Sequence, residues 1–282
     1  MEVILLGTGG PRPDPDRQGP SLVVRIEGDN VVFDAGRGVA TQLVRAGVPI
    51  TAVGHVFLTH HHFDHTGGLA DLIFAAWNKA RNETIKVFGP EGTSKMLSHL
   101  FEAYSRDIDY RLRETELTAE RLVDIREMVE AHDAGPGLVI DAGDWVVHAE
   151  YMTHGHGLGM TLEDWPCLGY RIEAEGKAVA ISGDAVASPG LLRLAREADV
   201  LVQCCYLAGA EITNPDLELI SEHVLAPSTM VGKIAREARV GKLVLTHIRE
   251  KPAEMLRSVA EDVRRDFDGE LVIGEDLLEI SV

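Results

Sequence analysis

Residues 59–65 read Thr-His-His-His-Phe-Asp-His, and this stretch decides how the rest of the chain is interpreted. It follows the apolar run Val53 to Leu58, which predicts a buried strand. Two glycines come next, and helical spacing of apolar residues begins at Leu69. The histidines and the aspartate therefore lie on a turn between a strand and a helix.

The order of the metal-binding side chains on this turn suggests two sites. In extended backbone, His60 and His62 project to the same side. Asp64 and His65 follow after the chain has begun to turn, so they face a second point nearby. This mixture suits two adjacent ions, one bound by imidazoles and one by a carboxylate and an imidazole. A polar turn without metal is the alternative, but so many potential ligands are costly to hold together without an ion.

The same pattern recurs at the ends of other predicted strands. An apolar run leads into a small polar residue and then a potential ligand at His60, His154, Asp184 and His247. The carboxyl ends of neighbouring strands converge on one edge of a sheet, so these side chains are expected to meet there. Hydrogen bonding at the edge of the core is the alternative for the last three, but packing alone hardly explains so many such endings.

Composition describes an ordinary globular chain with a strongly acidic balance. Of the 282 residues, 45% are hydrophobic, and 27 basic against 45 acidic residues give a net charge of −18. Such a balance argues against a surface that holds nucleic acid or an anionic membrane electrostatically. Neither a linker nor a low-complexity tract is evident, so we expect a single domain over 1–282.

The sequence also predicts a compartment. Apolar runs are too short for a membrane span, and the N-terminus lacks the basic region of a secretory signal. The chain has three cysteines, and the adjacent pair Cys204 and Cys205 has poor geometry for a disulfide. A reduced, cytoplasmic protein fits best. Because the pair follows the apolar run Val200 to Val202, we expect both to be core residues of a strand rather than metal ligands.

Residues 60–65 resemble the His-x-His-x-Asp-His signature of the metallo-β-lactamase-fold hydrolases, and the resemblance extends over nearly the whole chain. The sequence is most similar to the branch of ribonuclease Z-like phosphodiesterases and related zinc-dependent arylsulfatases. Strands and helices alternate in both halves of the chain, which suggests two β-rich halves packed face to face with helices outside. The implied fold class is α/β (α+β), a four-layer αββα sandwich.

The resemblance implies a dinuclear zinc centre, although Mn²⁺ or Fe²⁺ would also suit such ligands. The first ion takes three imidazoles, from His60, His62 and His154. The second ion takes Asp64, His65 and His247. Asp184 bridges the two ions, and a bridging water becomes a hydroxide nucleophile near neutral pH.

Two histidines compete with His154 for the third place at the first ion. His156 is two residues further on, and His148 lies inside the preceding strand. We favour His154 because it ends the strand and follows a threonine, as His60 and His247 do. His156 is then expected to contact substrate or support a ligand, and His148 to be structural.

Besides Asp64 at the metal centre, His223 is the catalytic candidate. It precedes a helix expected from about Pro227 to Ala238, where ribonuclease Z-like enzymes have a histidine that helps the leaving group depart. As a general acid, with Glu222 orienting it, it would contribute ~10²–10⁴-fold to the rate. A histidine that caps the helix is the alternative. The preceding residues 211–219 are predicted to form a loop.

Three further features border the predicted centre. Asp34 ends a strand and resembles an aspartate that orients a ligand loop in this family, and it is also a candidate helix cap. Arg12 and Arg17 lie in a proline-rich loop and would either reach an anionic substrate or only solvate the surface. The charged segment 104–132 is predicted to be a helical cover over the site, with the surface of a homodimer as the alternative.

We expect a dinuclear zinc hydrolase that cleaves an ester-type bond of a small substrate, namely a phosphodiester, an aryl sulfate or a lactone. The alternative is a ribonuclease Z-like endonuclease that processes RNA 3′ ends. The acidic balance counts against RNA, and so does the lack of an evident glycine- and lysine-rich arm between His154 and Asp184. Residues 203–205 also replace a histidine-glutamate pair of that branch, and His247 is not followed by its serine and Arg-Tyr. β-Lactamase, diiron redox and non-catalytic metal-binding roles are weaker alternatives.

Overall fold

The computed structural model describes residues 1–117 and 122–282. The strands of its first sheet are β1 (Glu2–Gly7), β2 (Ser21–Ile26), β3 (Asp29–Phe33), β4 (Val53–Phe57), β5 (Ile85–Gly89), β6 (Val129–Asp133) and β14 (Glu279–Ser281). The strands of the second sheet are β7 (Gly137–Asp141), β8 (Trp145–Tyr151), β9 (Leu168–Ala174), β10 (Lys177–Ile181), β11 (Val200–Cys204), β12 (Lys242–Thr246) and β13 (Glu270–Ile273). Their spatial orders are β14-β1-β2-β3-β4-β5-β6 and β13-β12-β11-β10-β9-β8-β7.

Helices cover the outer face of each sheet. On the first sheet lie α1 (Val39–Arg45), α3 (Leu69–Asn78), α4 (Thr93–Ala103), α5 (Ser105–Glu116) and α6 (Ile125–Met128). On the second sheet lie α7 (Pro189–Ala195), α9 (Ser228–Ala238) and α10 (Ala253–Arg264). Two further helices, α2 (Phe63–Thr66) and α8 (Pro215–His223), carry predicted site residues. The layers run helix, sheet, sheet, helix, which confirms the predicted αββα sandwich.

Membrane-spanning helices are absent from the described residues: none of their helices combines the necessary length with the necessary apolar character.

Alternate residues of the central strands build the apolar layers. In β1, Val3 and Leu5 pack between the sheets, while Ile4 and Leu6 pack against the helices. Central strands are therefore buried on both faces, which explains continuous apolar runs such as 200–202.

Parallel pairing sets the position of the site. β3, β4, β5 and β6 run parallel in the first sheet, and β10, β11, β12 and β13 run parallel in the second. Side chains that follow the carboxyl ends of such strands gather at one edge of the sandwich. The residues after β3, β4, β10 and β12 include predicted ligands and Asp34.

Tyr170 of β9 ties the two sheets together next to this edge. It is fully buried, and its hydroxyl donates to the carbonyl oxygen of Leu58 across the sandwich at 2.8 Å. We expect Tyr170→Phe to lower the free energy of unfolding by about 1–3 kcal/mol, because the buried Leu58 carbonyl loses this partner. Denaturant titration of both proteins measures the difference. Identical midpoints and slopes would contradict this role.

The charged segment predicted to cover the site packs elsewhere. Trp77 donates from Nε1 to the carbonyl oxygen of Val123 at 2.7 Å, and Arg111 donates to Oδ1 of Asn78 at 2.8 Å. Trp77 and Asn78 form the carboxyl end of α3, whereas the predicted ligands of the 60–65 motif precede its first residue, Leu69. These two contacts thus lie at the far end of α3. The segment also contacts Phe74 through Tyr104 and pairs with β5 through β6, and its residues 118–121 lie outside the described residues.

Candidate metal centre

Three imidazoles meet at the carboxyl edge of the sandwich. His60 follows β4, and His154 follows β8. Nε2 of His60 lies 2.9 Å from Nδ1 of His62, and Nε2 of His154 lies 3.2 Å from the same atom. One ring nitrogen of each histidine and a carboxylate oxygen of Asp184 all lie within 4.8 Å of one another. This is the group predicted for the first ion.

A second group lies beside the first. Asp64 and His65 belong to α2, whose helical turn carries them away from the extended residues before it. Oδ2 of Asp64 lies 3.3 Å from Nε2 of His247 and 3.9 Å from Nε2 of His65. His247 follows β12 with φ of 54°, a left-handed backbone that costs a non-glycine residue free energy. The ligand-directed imidazole is thus held by a strained turn.

Asp184 lies between the two groups. Its Oδ1 is 3.4 Å from Nε2 of His65. Its Oδ2 is 3.2 Å from Nε2 of His247 and 4.0 Å from Nε2 of His60. Gly183, with φ of 56°, lets the chain approach Thr59 closely where any side chain would collide with it. The carboxylate therefore faces donor atoms of both groups.

The donor atoms fit a pair of metal ions. Within the part of the chain that the structure describes, Nε2 of His65 and Oδ1 of Asp184 are buried and have no hydrogen-bond partner. A buried polar atom left unpaired costs about 1–3 kcal/mol, and bound ions would remove this cost. Mixed imidazole and carboxylate donors suit transition metals. The two clusters indicate a dinuclear metal site, as the sequence predicts.

The pKa shifts of His60, His62, His154 and Asp184 suit metal binding. Burial lowers the pKa of His60 well below its usual value, and it lowers the pKa of His62 and His154 as well. For Asp184, burial acts to raise the pKa, but facing imidazoles, that of His247 first, hold it well below its ordinary value. Neutral imidazole and ionised carboxylate are the forms that ligate metals. His65 differs: burial acts to lower its pKa, but the Asp34 and Asp184 carboxylates raise it well above its usual value, so this ring must lose a proton to bind an ion.

Asp34 orients the candidate ligands of the motif. Its Oδ2 accepts from Nδ1 of His65 at 2.7 Å, which leaves Nε2 of that ring directed at the site. Its Oδ1 accepts from the backbone N–H of Thr59 at 2.8 Å. The Thr59 hydroxyl in turn lies 2.9 Å from Nδ1 of His60 and fixes that ring too. A single carboxylate after β3 thus positions one ligand of each group.

The geometry separates His154 from its rivals. Nδ1 of His154 donates to the carbonyl oxygen of Val224 at 2.6 Å, so its Nε2 faces His62. His156 accepts from the His154 backbone N–H at 3.0 Å and donates to the Trp165 carbonyl oxygen at 2.8 Å. Both nitrogens of His156 are therefore occupied in supporting the loop, and His154 is the ligand candidate. His148 lies within β8.

His223 is the last residue of α8, against the turn that carries His154. Its carbonyl oxygen accepts from the Gly155 N–H at 2.6 Å. A Cβ placed on Gly157 would lie 2.1 Å from Nδ1 of His223, so the ring rests on that glycine. The side chain is 35% exposed, and its Nε2 lies 3.9 Å from Oε2 of Glu222. This position leaves the imidazole open to solvent on the same side as His154.

The sequence analysis did not predict that two further residues lie near the centre. The Trp165 ring lies 4.7 Å from that of His62 and 6.0 Å from that of His60, between centroids. It comes from the loop before β9, where no motif marks it. Cys204 was expected in the core, and it is buried there, but its sulfur also lies within 4.8 Å of donor atoms of Asp184 and His247.

The proline-rich loop borders a cavity next to His247. The cavity has a volume of about 310 Å³ and is lined by Gly10, Arg12, Pro13, Asp14, Tyr206, Ile248, Arg249 and Glu250. Arg12 thus reaches the edge of the site. Arg17 does not have this role, because its guanidinium donates to the Gly274 carbonyl oxygen at 2.7 Å and to Thr8.

Known proteins match this chain over its whole length. The metallo-beta-lactamase superfamily profile matches residues 14–262. Ribonuclease Z of Mycolicibacterium paratuberculosis is 33% identical over 294 aligned residues, which cover 100% of this chain and 98% of that protein. Human tRNase Z, short form, is 25% identical with a TM-score of 0.71, covering 100% and 99%. The metallo-beta-lactamase fold protein YhfI from Bacillus subtilis shares the fold, with a TM-score of 0.75 at 19% identity, covering 99% and 98%.

Fold and site define a metal-dependent hydrolase built on two packed sheets. The chain belongs to the metallo-beta-lactamase superfamily, and within it to the ribonuclease Z-like branch.

The comparisons overturn the predicted small-ester substrate. Several full-length relatives at 32–33% identity are ribonucleases Z, so the main functional prediction and the small-molecule partner are wrong. The error has a physical source. A net charge of −18 is a sum over the whole surface, and it carries no information about the charge at the metal edge, where Arg12 and Arg249 lie.

Proposed function

We propose that the chain is a zinc-dependent, ribonuclease Z-like endonuclease, acting as one metallo-hydrolase domain over 1–282. Its substrate would be a structured RNA with a 3′ extension, such as a precursor tRNA. The full-length similarity to ribonuclease Z carries the proposal. The donor clusters support it, because two adjacent metal ions are a common solution for phosphodiester hydrolysis.

The ligand assignment is part of this proposal. The first zinc ion takes His60, His62 and His154, and the second takes Asp64, His65 and His247. Asp184 serves both. When bound, the ions supply Lewis-acid activation of the phosphodiester and of the attacking water. Asp64 would contribute to catalysis only by holding the second ion.

Protein groups contribute orientation and a proton. Asp34 and the Val224 carbonyl accept from the Nδ1–H groups of His65 and His154. These hydrogen bonds fix the two rings, so that Nε2 of each already faces the site. His223 donates a proton to the leaving ribose oxygen, and Glu222, whose Oε2 lies 3.9 Å from Nε2 of that ring, orients it. Its exposure beside the His154 turn supports this role, since a buried histidine could not meet an RNA strand.

In this proposal, the cavity beside His247 binds the RNA backbone next to the scissile bond. Arg249 stands over the Tyr206 ring at 5.9 Å and pairs with Glu211 at 2.6 Å. Arg12 is exposed and lines the same cavity, as do the acidic residues Asp14 and Glu250. A guanidinium and an aromatic face at one rim suit a phosphate and a stacked base.

A labelled precursor tRNA with a 3′ trailer tests the proposal. We expect the zinc-loaded protein to cut it once, after the acceptor stem, and to leave a mature tRNA of the same sequence intact. The rate should fall as salt is raised, because RNA binding releases counterions. Failure to cut the precursor by protein that holds two zinc ions would reject the function.

Metal content gives an independent prediction. We expect two zinc ions per chain after reconstitution, because the donors form two clusters that share Asp184. Elemental analysis after removal of excess metal measures the ratio. A ratio of one or less would rule out the dinuclear assignment, whatever the substrate.

We also propose a cytoplasmic location, as the sequence suggests. Cys167, Cys204 and Cys205 are free and buried, which fits a reducing compartment.

A further inference from the structure

Three neighbouring strands of the second sheet end side by side at the metal edge. β10 leads to Asp184, β12 leads to His247, and β11 lies between them and ends at Cys204. Cys204 pairs with Thr246, the residue before His247. The Cys204 backbone N–H donates to the Ser182 hydroxyl at 3.2 Å, two residues before Asp184. The cysteine is therefore fixed between two proposed ligands by strand pairing and by the Ser182 hydroxyl.

Strand alternation directs its side chain between the sheets. Val200 and Val202 pack in the layer between the sheets, whereas Leu201 packs against the helices. Cys204 continues the first set, so its sulfur faces the edge of the inner layer. Cys205 packs in the helix-covered layer instead. The two adjacent thiols are 0% and 1% exposed and lie on opposite faces of the same strand.

The Cys204 sulfur lies close to two of the residues proposed to hold the second ion. It forms a cluster with a carboxylate oxygen of Asp184 and a ring nitrogen of His247, all within 4.8 Å of one another. Metal–nitrogen and metal–sulfur bonds are about 2.0–2.3 Å, so three donors at this mutual separation could be shared by one ion. An independent observation supports a ligand here: the Oδ1 atom of Asp184 and Nε2 of His65 are buried and unpaired among the described residues.

We propose that Cys204 is a further ligand of the second metal ion, through its thiolate sulfur. As the metal–sulfur bond forms, the S–H bond breaks and one proton leaves to solvent. The thiolate would make this ion site softer than a site of imidazoles and carboxylates, and so select zinc over manganese. The proposal rests on the dinuclear centre proposed above, but it does not depend on the RNA substrate.

Cobalt substitution tests the ligand directly. Protein holding two Co²⁺ per chain should show the near-ultraviolet charge-transfer absorption of a cobalt–thiolate bond. We expect this band to vanish in Cys204→Ser and to persist in Cys205→Ser, the matched control on the opposite face. It should also persist in the double variant Cys167→Ser/Cys205→Ser, in which Cys204 is the last thiol of the chain.

Each outcome of the cobalt experiment either supports or rejects Cys204 as a ligand. Wild-type protein with two Co²⁺ and no thiolate band overturns the proposal, even if Cys204→Ser fails to fold. A band that survives in a folded Cys204→Ser overturns it as well. Competition between zinc and manganese gives a second readout, since Cys204→Ser should lower the preference for zinc by ~10-fold or more. RNA cleavage is scored separately, so failure of the proposed function leaves the spectrum interpretable.

Discussion

Asp184→Asn is expected to leave the fold intact, to retain one metal ion per chain or fewer, and to lower kcat for precursor cleavage by at least ~10²-fold. The carboxylate faces His65 through Oδ1, and it faces both His60 and His247 through Oδ2. It would also offset the repulsion between two adjacent dications. Asparagine keeps the shape but removes the charge, so the weaker ion should leave first.

The structure removes the capping explanation for Asp184. α7 is capped by the Ser188 hydroxyl, which accepts from the Leu191 N–H at 3.2 Å. Asp199→Asn is the matched control, because Asp199 pairs with Lys177 at 2.7 Å at the opposite end of the same strands. Zinc stoichiometry and turnover should stay normal in that variant. Two bound zinc ions with normal turnover in Asp184→Asn would reject the bridge.

His223→Ala is expected to lower kcat by ~10²-fold while metal content stays unchanged. A ribose oxygen is a poor leaving group, so it needs a proton as the bond to phosphorus breaks. The imidazole touches no donor atom of the two clusters, since it rests against Gly157 and near Glu222. Its loss should therefore affect the chemical step rather than the ions.

A change of leaving group distinguishes proton donation from a structural role. With an activated nitrophenyl phosphodiester, whose leaving group needs no proton, the effect of His223→Ala should shrink to a few-fold. His99→Ala, a change of an exposed histidine on α4, is the control and should match the wild type. An equal loss on both substrates would argue against a general acid.

Local patterns marked the proposed ligands because several of them directly follow a strand. Asp184 and His247 follow β10 and β12 of one parallel set, whereas their meeting with His60, which follows β4, also needs the two sheets to pack face to face. Trp165 could not be found this way, because its contact with His62 depends on the path of a loop. Cys204 carried a local signal of burial alone, and only the strand order places it between Asp184 and His247.

The region before His223 shows a misread signal. Residues 211–219 were expected to form a loop, yet α8 begins at Pro215. The Asn214 side chain accepts from the Leu217 N–H at 3.0 Å, so Asn-Pro here is a cap followed by proline in the first turn. The same dipeptide also occurs in turns, and the amphipathic pattern of α8 is too weak to distinguish a turn from the start of a helix.

The attachment of α8 to the His154 turn has a mechanical consequence. The His223 carbonyl holds the Gly155 N–H, and the next carbonyl, that of Val224, holds the His154 ring. These two hydrogen bonds couple the end of α8 to the turn, so a displacement of this end would act on the His154 ring as well as on His223. A substitution that shifts α8 is therefore expected to disturb the proposed proton donor and the proposed ligand at the same time.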